Sequence, residues 1–242
     1  MHYFHCDLAS PDAIKECAAQ VKSKVGHPTV LVNNAGFARG KTIMDLTDND
    51  LRLNFQVNAI SHYQLAHQFL PSMIQNNHGM IVTVASLASY VTAPAMVDYS
   101  SSKAAALTFH EGLTSELATV YNAPKVRTVV VCQGFTRTPL FDGFNQGDPF
   151  MNYPLDPETV AEDIVRAVLA GKSDHIILPR NNSLITTIKG WPSWMQIGLR
   201  KDMKKMMKEW KGRQVLQPSE IEKKKEDEKA LGESTFEEVK AA

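Results

Sequence analysis

The sequence predicts an α/β fold built on a parallel sheet, and three observations carry that prediction. Short apolar, β-rich runs recur along the chain, as PTVLVNN, GMIVTVA and VRTVVVC. Stretches with helical spacing of apolar residues separate them, long enough to serve as crossovers. Helix-start signals stand at the beginning of those stretches, as in Ser10-Pro11-Asp12 and Asp156-Pro157-Glu158. Such β-α-β alternation gives a parallel sheet with right-handed crossovers. At 242 residues and 43% hydrophobic content, the chain has ample material for a sizeable core.

Taken in order, Tyr3 to Leu8 is a short strand candidate. A helix follows from the Ser10 cap through Ile14, Cys17, Ala18 and Val21 to Gly26. Pro28 to Gly36, PTVLVNNAG, is a strand that runs into two asparagines and a small turn. After a loop over 37–46, Asp45 or Thr47 caps a long helix through Leu53, Val57, Ile60, Leu65 and Phe69, with a bend expected at Pro71. The strand Met80 to Ala85 leads to a helix from Asp98 to Tyr121, and Val126 to Cys132 is the next strand. Thr136 to Leu155, rich in Gly, Pro, Phe and Asn, is read as a mobile loop over the site. A helix from Asp156 to Gly171 and a short strand, His175 to Leu178, complete the pattern.

Composition excludes several classes. The formal net charge is zero, which argues against a nucleic-acid-binding surface. Three cysteines, Cys6, Cys17 and Cys132, lie far apart without metal-ligand spacing; they suggest a reducing compartment and core-filling roles. The eight histidines show no metal spacing either. No secretory signal and no apolar run long enough to span a bilayer is expected.

The chemistry centres on SLASYVTAPAMVDYSSSK, from Ser86 to Lys103. If Tyr99 opens its helix, Lys103 lies one turn on, on the same face. An ammonium beside a phenol favours phenolate, so the Tyr99 pKa is expected to fall toward the working pH. Ser86, at the end of a strand, is placed to hydrogen-bond an oxygen that changes charge. Read singly, Ser86 is a strand end, Asn58 a partner for a helix backbone group and Thr138 a turn cap. Read together, PTVLVNNAG, Asn58, Ser86, Tyr99, Lys103 and GFTRT (Gly134 to Thr138) match in order and spacing the short-chain dehydrogenase/reductase family. The chain resembles that family from about Tyr3 to Pro179, and looks closest to its membrane-associated hydroxysteroid and retinol dehydrogenase branch.

The resemblance implies an NAD- or NADP-dependent oxidoreductase that interconverts an alcohol and a carbonyl. Tyr99 would be the acid/base. Lys103 would lower its pKa and hold the nicotinamide ribose, Ser86 would hold the substrate oxygen, and Asn58 would support a water that links Lys103 to solvent. Asn33, Ala35 and Gly36 would line the cofactor's path, Asp7 would lie beside the adenine ring, and Thr138 would contact the nicotinamide carboxamide. No residue is assigned to a metal. A lipophilic substrate (sterol, retinoid or fatty alcohol) is expected, and family members often dimerise through the helices around Asn58 and Tyr99.

The sequence departs from the family pattern in two places. Gln133-Gly134 stands where Pro-Gly is usual. More seriously, the family opens with a strand, a TGxxxGxG turn, a helix and a second strand, and these 242 residues contain none of it. The glycines let a helix N-terminus approach the cofactor pyrophosphate. The fold is therefore expected to be a Rossmann-like, doubly wound parallel sheet lacking its first β-α-β unit. In the family's strand order, 3-2-1-4-5-6-7, the loss leaves a gap of about 14 Å at ~4.8 Å per strand. Either an edge stays open or Tyr3–Leu8 slides in beside PTVLVNN. A truncated form, inactive alone, is expected.

Residues 1–180 form the expected domain, 181–213 a basic amphipathic extension and 214–242 a charged, loosely ordered tail. In the extension, Leu199, Met203, Met206, Met207 and Trp210 form a stripe among Arg200, Lys201, Lys204, Lys205, Lys208 and Lys211, behind Trp191, Trp194 and Met195. That pattern fits a helix lying in a membrane interface, through 184–213; packing on its own domain and binding as a partner helix stay open. The implied location is the cytosolic face of the endoplasmic reticulum or a lipid droplet, otherwise the cytoplasm. Two rival functions remain: a dehydrogenase-like protein without catalysis, and a peripheral membrane or lipid-droplet protein in which the helix does the work.

Overall fold

The computed structural model describes residues 1–141, 143, 153–206, 210 and 212. Its centre is a four-stranded parallel sheet in the order β1 (Val30–Asn33), β2 (Gly79–Val84), β3 (Val126–Gln133) and β4 (Asp174–Leu178). Leu31 pairs with Ile81, Ile81 with Thr128, and Val131 with Ile176. This is the expected doubly wound α/β sheet, reduced to the strands after the family's third.

Alternation along the strands sends side chains to two helical layers. Ile81 packs with Ala18 of α1 (Pro11–Val25), with Ala66, Phe69 and Met73 of α3 (Ser61–Gln75), and with Phe109, Leu113 and Leu117 of α4 (Val97–Thr119). Met80, Val82, Val129 and Val131 face the other way, onto Val160 and Ala167 of α5 (Pro157–Ala170). The helix starts are chemical. The Ser10 hydroxyl accepts the Ala13 N–H at 3.2 Å before Pro11. Thr47, rather than Asp45, caps α2 (Asp48–Phe55) through a reciprocal capping box with Asp50. Pro71 sits inside α3, and the long helical run also contains a π-helical segment, Gln56–Ile60. Gly171, at φ 62°, closes α5 in the left-handed conformation.

Two expectations need correction. Tyr3–Leu8 forms no strand, because a strand needs a paired neighbour and this segment has none. Of the two outcomes expected for β1, the open edge is the one found: among the described residues nothing pairs with its outer side. Val30 and Val32, 40% and 45% exposed, point to the face that α5 covers elsewhere. The second correction concerns the C-terminal stripe. A 3-10 run (Arg180–Gly190) precedes α6 (Ser193–Met206), so the helix begins well before Leu199. Trp210 is 4% exposed, donates its indole N–H to the Leu140 carbonyl at 2.8 Å and stacks on Phe141. With Met203 it packs among Ala38, Ala93, Met96 and Tyr99. These two residues hold the segment to its own domain and are not membrane anchors. The ends of the loop read as mobile are tied: Leu155 N–H donates to the Phe135 carbonyl at 2.9 Å and Arg137 pairs with Asp156 at 2.7 Å. The middle of that loop, Met207, Lys208, Lys211 and the 214–242 tail lie outside the described residues.

The open edge makes a contrast between two valines testable. Val32→Lys places a charge on an exposed edge face, so unfolding free energy in urea should change by no more than about 0.5 kcal/mol, and light scattering should show less self-association. Val82→Lys buries an unpaired ammonium between β-layer and α5, and should unfold the chain. Equal loss of stability in both variants would mean that β1 is covered.

Candidate active site

The site lies beyond the C-terminal ends of β1, β2 and β3, where ligands of open α/β sheets bind. β2 ends just before Ser86, which caps a short 3-10 turn (Leu87–Ser89): its Oγ accepts from the Ala88 N–H at 3.1 Å and donates to the Gln133 carbonyl at 3.3 Å. Tyr99 stands in the first turn of α4 and is 4% exposed. Lys103, one turn on and also buried, donates from Nζ to the Val84 carbonyl at 2.7 Å and lies 5.9 Å from the Tyr99 ring centroid. The YxxxK pair is thus formed as its spacing requires.

Asn58 occupies the π-helical segment and is fully buried. Its Oδ1 accepts the Phe37 N–H at 3.0 Å, while Nδ2 donates to the Phe37 carbonyl at 2.8 Å and to Ser102 Oγ at 2.9 Å. Ser102 Oγ in turn donates to the Tyr99 carbonyl at 2.8 Å. Asn58 therefore grips the loop after β1 and connects it to α4. Gly36 shows how tight that junction is: a Cβ there would sit 3.2 Å from both Asn58 Oδ1 and Lys103 Nζ. Only glycine leaves both groups where they are.

A cavity of about 490 Å³ is lined by Asn34, Ala35, Gly36, Ser86, Tyr99, Lys103, Gln133, Thr136 and Thr138. A second, narrow and mostly apolar cavity of about 100 Å³ is lined by Leu87, Val91, Met96, Phe135, Ile185 and Met203. The two share Ser86, Gly134 and Phe141. Ala35, Gly36, Ser86, Tyr99, Lys103 and Thr138 converge as expected.

Two other expected residues do not converge. Asn33 is buried at the end of β1 with both amide atoms unpartnered among the described residues, and its neighbour Asn34 lines the cavity instead. Adjacent strand residues point to opposite faces, so only one of the two asparagines can face the cavity. Asp7 is exposed and accepts the Ala9 N–H at 2.9 Å in a turn away from the cavity. Sequence reasoning also missed Asn54, which donates to Phe37 and Asp98 carbonyl or carboxylate oxygens. Its i,i+4 spacing to Asn58 was the available signal.

Electrostatics overturns one expectation. The Tyr99 phenol is pushed up to about 12, not lowered, because burial disfavours phenolate more than the Ser86 hydrogen bond favours it. Lys103 is pushed down to about 8 by burial. For the nicotinamide half of a dinucleotide, the 490 Å³ cavity offers close backbone approach at Gly36, the Lys103 ammonium and the Thr138 side of the loop after β3. These residues fit that half.

Comparison with known proteins places this geometry. The profile of the short chain dehydrogenase family matches residues 1–149. Dehydrogenase RED3 of Cochliobolus heterostrophus is 47% identical over 126 residues, which cover 52% of this chain and 64% of that protein. Human estradiol 17-beta-dehydrogenase 11 is 35% identical over 190 residues, 78% of this chain and 61% of that protein. The chain thus spans under two thirds of the length of both relatives. An alcohol dehydrogenase from the archaeon Thermococcus sibiricus, solved with 5-hydroxy-NADP, superimposes with a TM-score of 0.61 at 25% identity and covers 73% of each chain.

The depressed Lys103 pKa has a stability consequence of definite sign. Between about 8 and the ordinary lysine value of 10.5 the unfolded chain binds a proton that the folded chain has released, so stability rises with pH there. Tyr99 acts oppositely, but only above about 10, where unfolded tyrosine ionises first. Urea unfolding of the unaltered chain minus that of Lys103→Met should therefore gain stability from pH 8 to pH 10. A flat difference over that interval would mean that Lys103 titrates normally.

Proposed function

The chain belongs to the short chain dehydrogenase family, and from that premise we propose that it carries the alcohol–carbonyl site of an NAD- or NADP-dependent oxidoreductase for a lipophilic substrate. The observation that supports this reading best is the meeting of the two cavities at Ser86: a polar one beside Tyr99 and Lys103, and an apolar one beyond it. When bound, a nicotinamide cofactor supplies or accepts the hydride. Tyr99 Oη delivers or takes the proton at the substrate oxygen, and its raised pKa keeps it protonated at neutral pH, ready for carbonyl reduction. Ser86 Oγ holds that oxygen. The Lys103 ammonium compensates the phenolate left after proton transfer, and Asn58 fixes both walls of the site through Phe37 and Ser102. The apolar lining of the second cavity by Leu87, Val91, Met96 and Ile185 favours a sterol, retinoid or fatty alcohol over a sugar.

In this reading the 242 residues hold only the nicotinamide half of the dinucleotide site. Losing two or three charge-assisted bonds of roughly 1.5–3 kcal/mol each weakens binding about a thousandfold or more. Calorimetric titration of the 242-residue polypeptide with NADH and NADPH should give millimolar affinity and no measurable turnover. Fused behind the glycine-rich β-α-β unit of a family member, it should turn over, and Tyr99→Phe should abolish turnover without weakening cofactor binding. Micromolar binding by the unfused chain would refute the half-site reading, and substantial activity of the Tyr99→Phe fusion would refute the acid/base role.

We further propose peripheral contact with a cytosolic membrane or lipid-droplet surface through the extension, and self-association through the α3–α4 face, where Tyr63 and Tyr121 stand exposed. Leu184, Trp194 (73% exposed) and Ile197 project beside exposed Lys189, Lys201 and Lys204, which supports an interfacial role for the outer face alone. Among the described residues no helix is long and apolar enough to cross a bilayer. Trp194→Ala with Leu184→Ala, or Lys201→Glu with Lys204→Glu, should release the chain from anionic liposomes in flotation, the charge pair in a salt-dependent way. Trp210→Ala should instead lower thermal stability. Unchanged flotation of both double variants would leave α6 as a packing helix.

A further inference from the structure

A further cavity, of about 400 Å³, lies between the loop that leads into α4 and one face of α6. Ile197, Arg200, Lys201 and Lys204 form its α6 wall, at the i, i+3, i+4, i+7 spacing that puts side chains on one face of a helix. Thr92, Ala93, Pro94 and Val97 form the other wall. That loop has an unusual shape: Ala95 stands at φ 61°, a left-handed conformation uncommon outside glycine and asparagine. Ala93 also packs in the buried cluster of Met96, Tyr99 and Trp210, so it borders both the groove and the residues around Tyr99.

The two walls differ in chemistry. Ala93, Pro94, Val97 and Ile197 make the floor apolar, while three cations stand together on α6 with no carboxylate among the described lining residues. Arg200 donates to Gln196 Oε1 at 3.1 Å, a neutral acceptor that leaves its charge uncompensated. Lys201 and Lys204 stand exposed beside it. Like charges one turn apart disfavour the helix that carries them, and an anion held between them offsets that repulsion. An inorganic anion would satisfy the cations but not the floor, and an uncharged lipid the floor but not the cations. An anionic phospholipid satisfies both. Ile197, 51% exposed, also belongs to the outer face with Leu184 and Trp194, so the groove opens onto the surface proposed to meet lipid. We infer that this groove binds one anionic phospholipid, its phosphate against Arg200, Lys201 and Lys204 and the start of an acyl chain on Val97 and Ile197. The bound lipid holds the entry to α4, two residues before Tyr99, against the membrane. The inference rests on the interfacial reading of the outer face of α6.

Short-chain lipids kept monomeric separate a groove from a general interface. NMR titration of the 242-residue chain with dihexanoyl-phosphatidylglycerol, below its micelle concentration, should show saturable one-to-one binding that weakens with added salt. Dihexanoyl-phosphatidylcholine and inorganic phosphate should each bind about tenfold more weakly, the first lacking net charge and the second lacking an acyl chain. Arg200→Gln with Lys204→Gln should weaken phosphatidylglycerol about tenfold, at roughly two- to fivefold for each cation. Ile197→Ser should weaken it about threefold or more through the lost apolar contact. Trp194→Ala with Leu184→Ala lies outside the groove, and should lower liposome flotation while leaving monomer binding unchanged. Equal affinity for the two lipids, equal affinity for inorganic phosphate, or unchanged binding in a folded Arg200→Gln, Lys204→Gln variant overturns the groove. Absence of monomer binding, with flotation still lost in the Trp194 and Leu184 variant, overturns the groove and leaves the interfacial reading standing. Absence of both monomer binding and flotation in the unaltered chain overturns the two together.

Discussion

The grip of Asn58 on the Phe37 backbone is the contact on which the site depends. One carboxamide receives the Phe37 N–H, gives to the Phe37 carbonyl, and gives also to Ser102 on α4. These bonds form at 0% exposure, where an unpaired partner would cost about 1–3 kcal/mol. They join three parts that are distant in sequence: the loop after β1, the π-helical segment and α4. The π-helical segment is what makes the reach feasible, since the extra residue re-aims a side chain relative to an ordinary α-helix. Gly36 follows from the same contact, because a Cβ would crowd both Asn58 and Lys103.

Burial and charge compete at Tyr99, and burial wins. A cation 5.9 Å from a ring centroid, already hydrogen-bonded to the Val84 carbonyl, stabilises phenolate weakly, whereas burial of the phenol acts on it directly. Burial likewise lowers Lys103. Each group is thus pushed toward its neutral form. A protonated tyrosine beside a lysine whose proton is comparatively loosely held is a pair through which a proton can pass in either direction.

Much of this was legible in the sequence. The strand runs, the Ser10 and Thr47 caps and the YxxxK spacing report local physics, and local physics placed them correctly. What was not legible depends on neighbours. Tyr3–Leu8 has strand composition but no strand beside it. Asn33 and Asn34 are chemically identical, and only the pleat decides which one faces the cavity. The sign of the Tyr99 shift turned on depth of burial, which spacing does not encode. The C-terminal stripe misled for a similar reason. An amphipathic pattern says that one face is apolar, but not whether it meets lipid or protein: Met203 and Trp210 turn inward, while Trp194 and Ile197 turn out.

The weakest strand of the sheet borders the site through the residues that follow it, Asn34 to Gly36. β1 bears an unpaired edge, two exposed valines and an asparagine with both amide atoms unpartnered among the described residues. These deficits of pairing and of burial fall on one strand, at one side of the sheet. Ser86, Tyr99, Lys103 and Gln133 are carried by β2, α4 and β3, whose strands are paired on both sides and covered on both faces. β1 is joined to that interior by its parallel ladder to β2, and Asn58 holds the loop after β1 at Phe37 from the sheltered side. The geometry of Ser86, Tyr99 and Lys103 is therefore set by the interior of the sheet more than by its open edge.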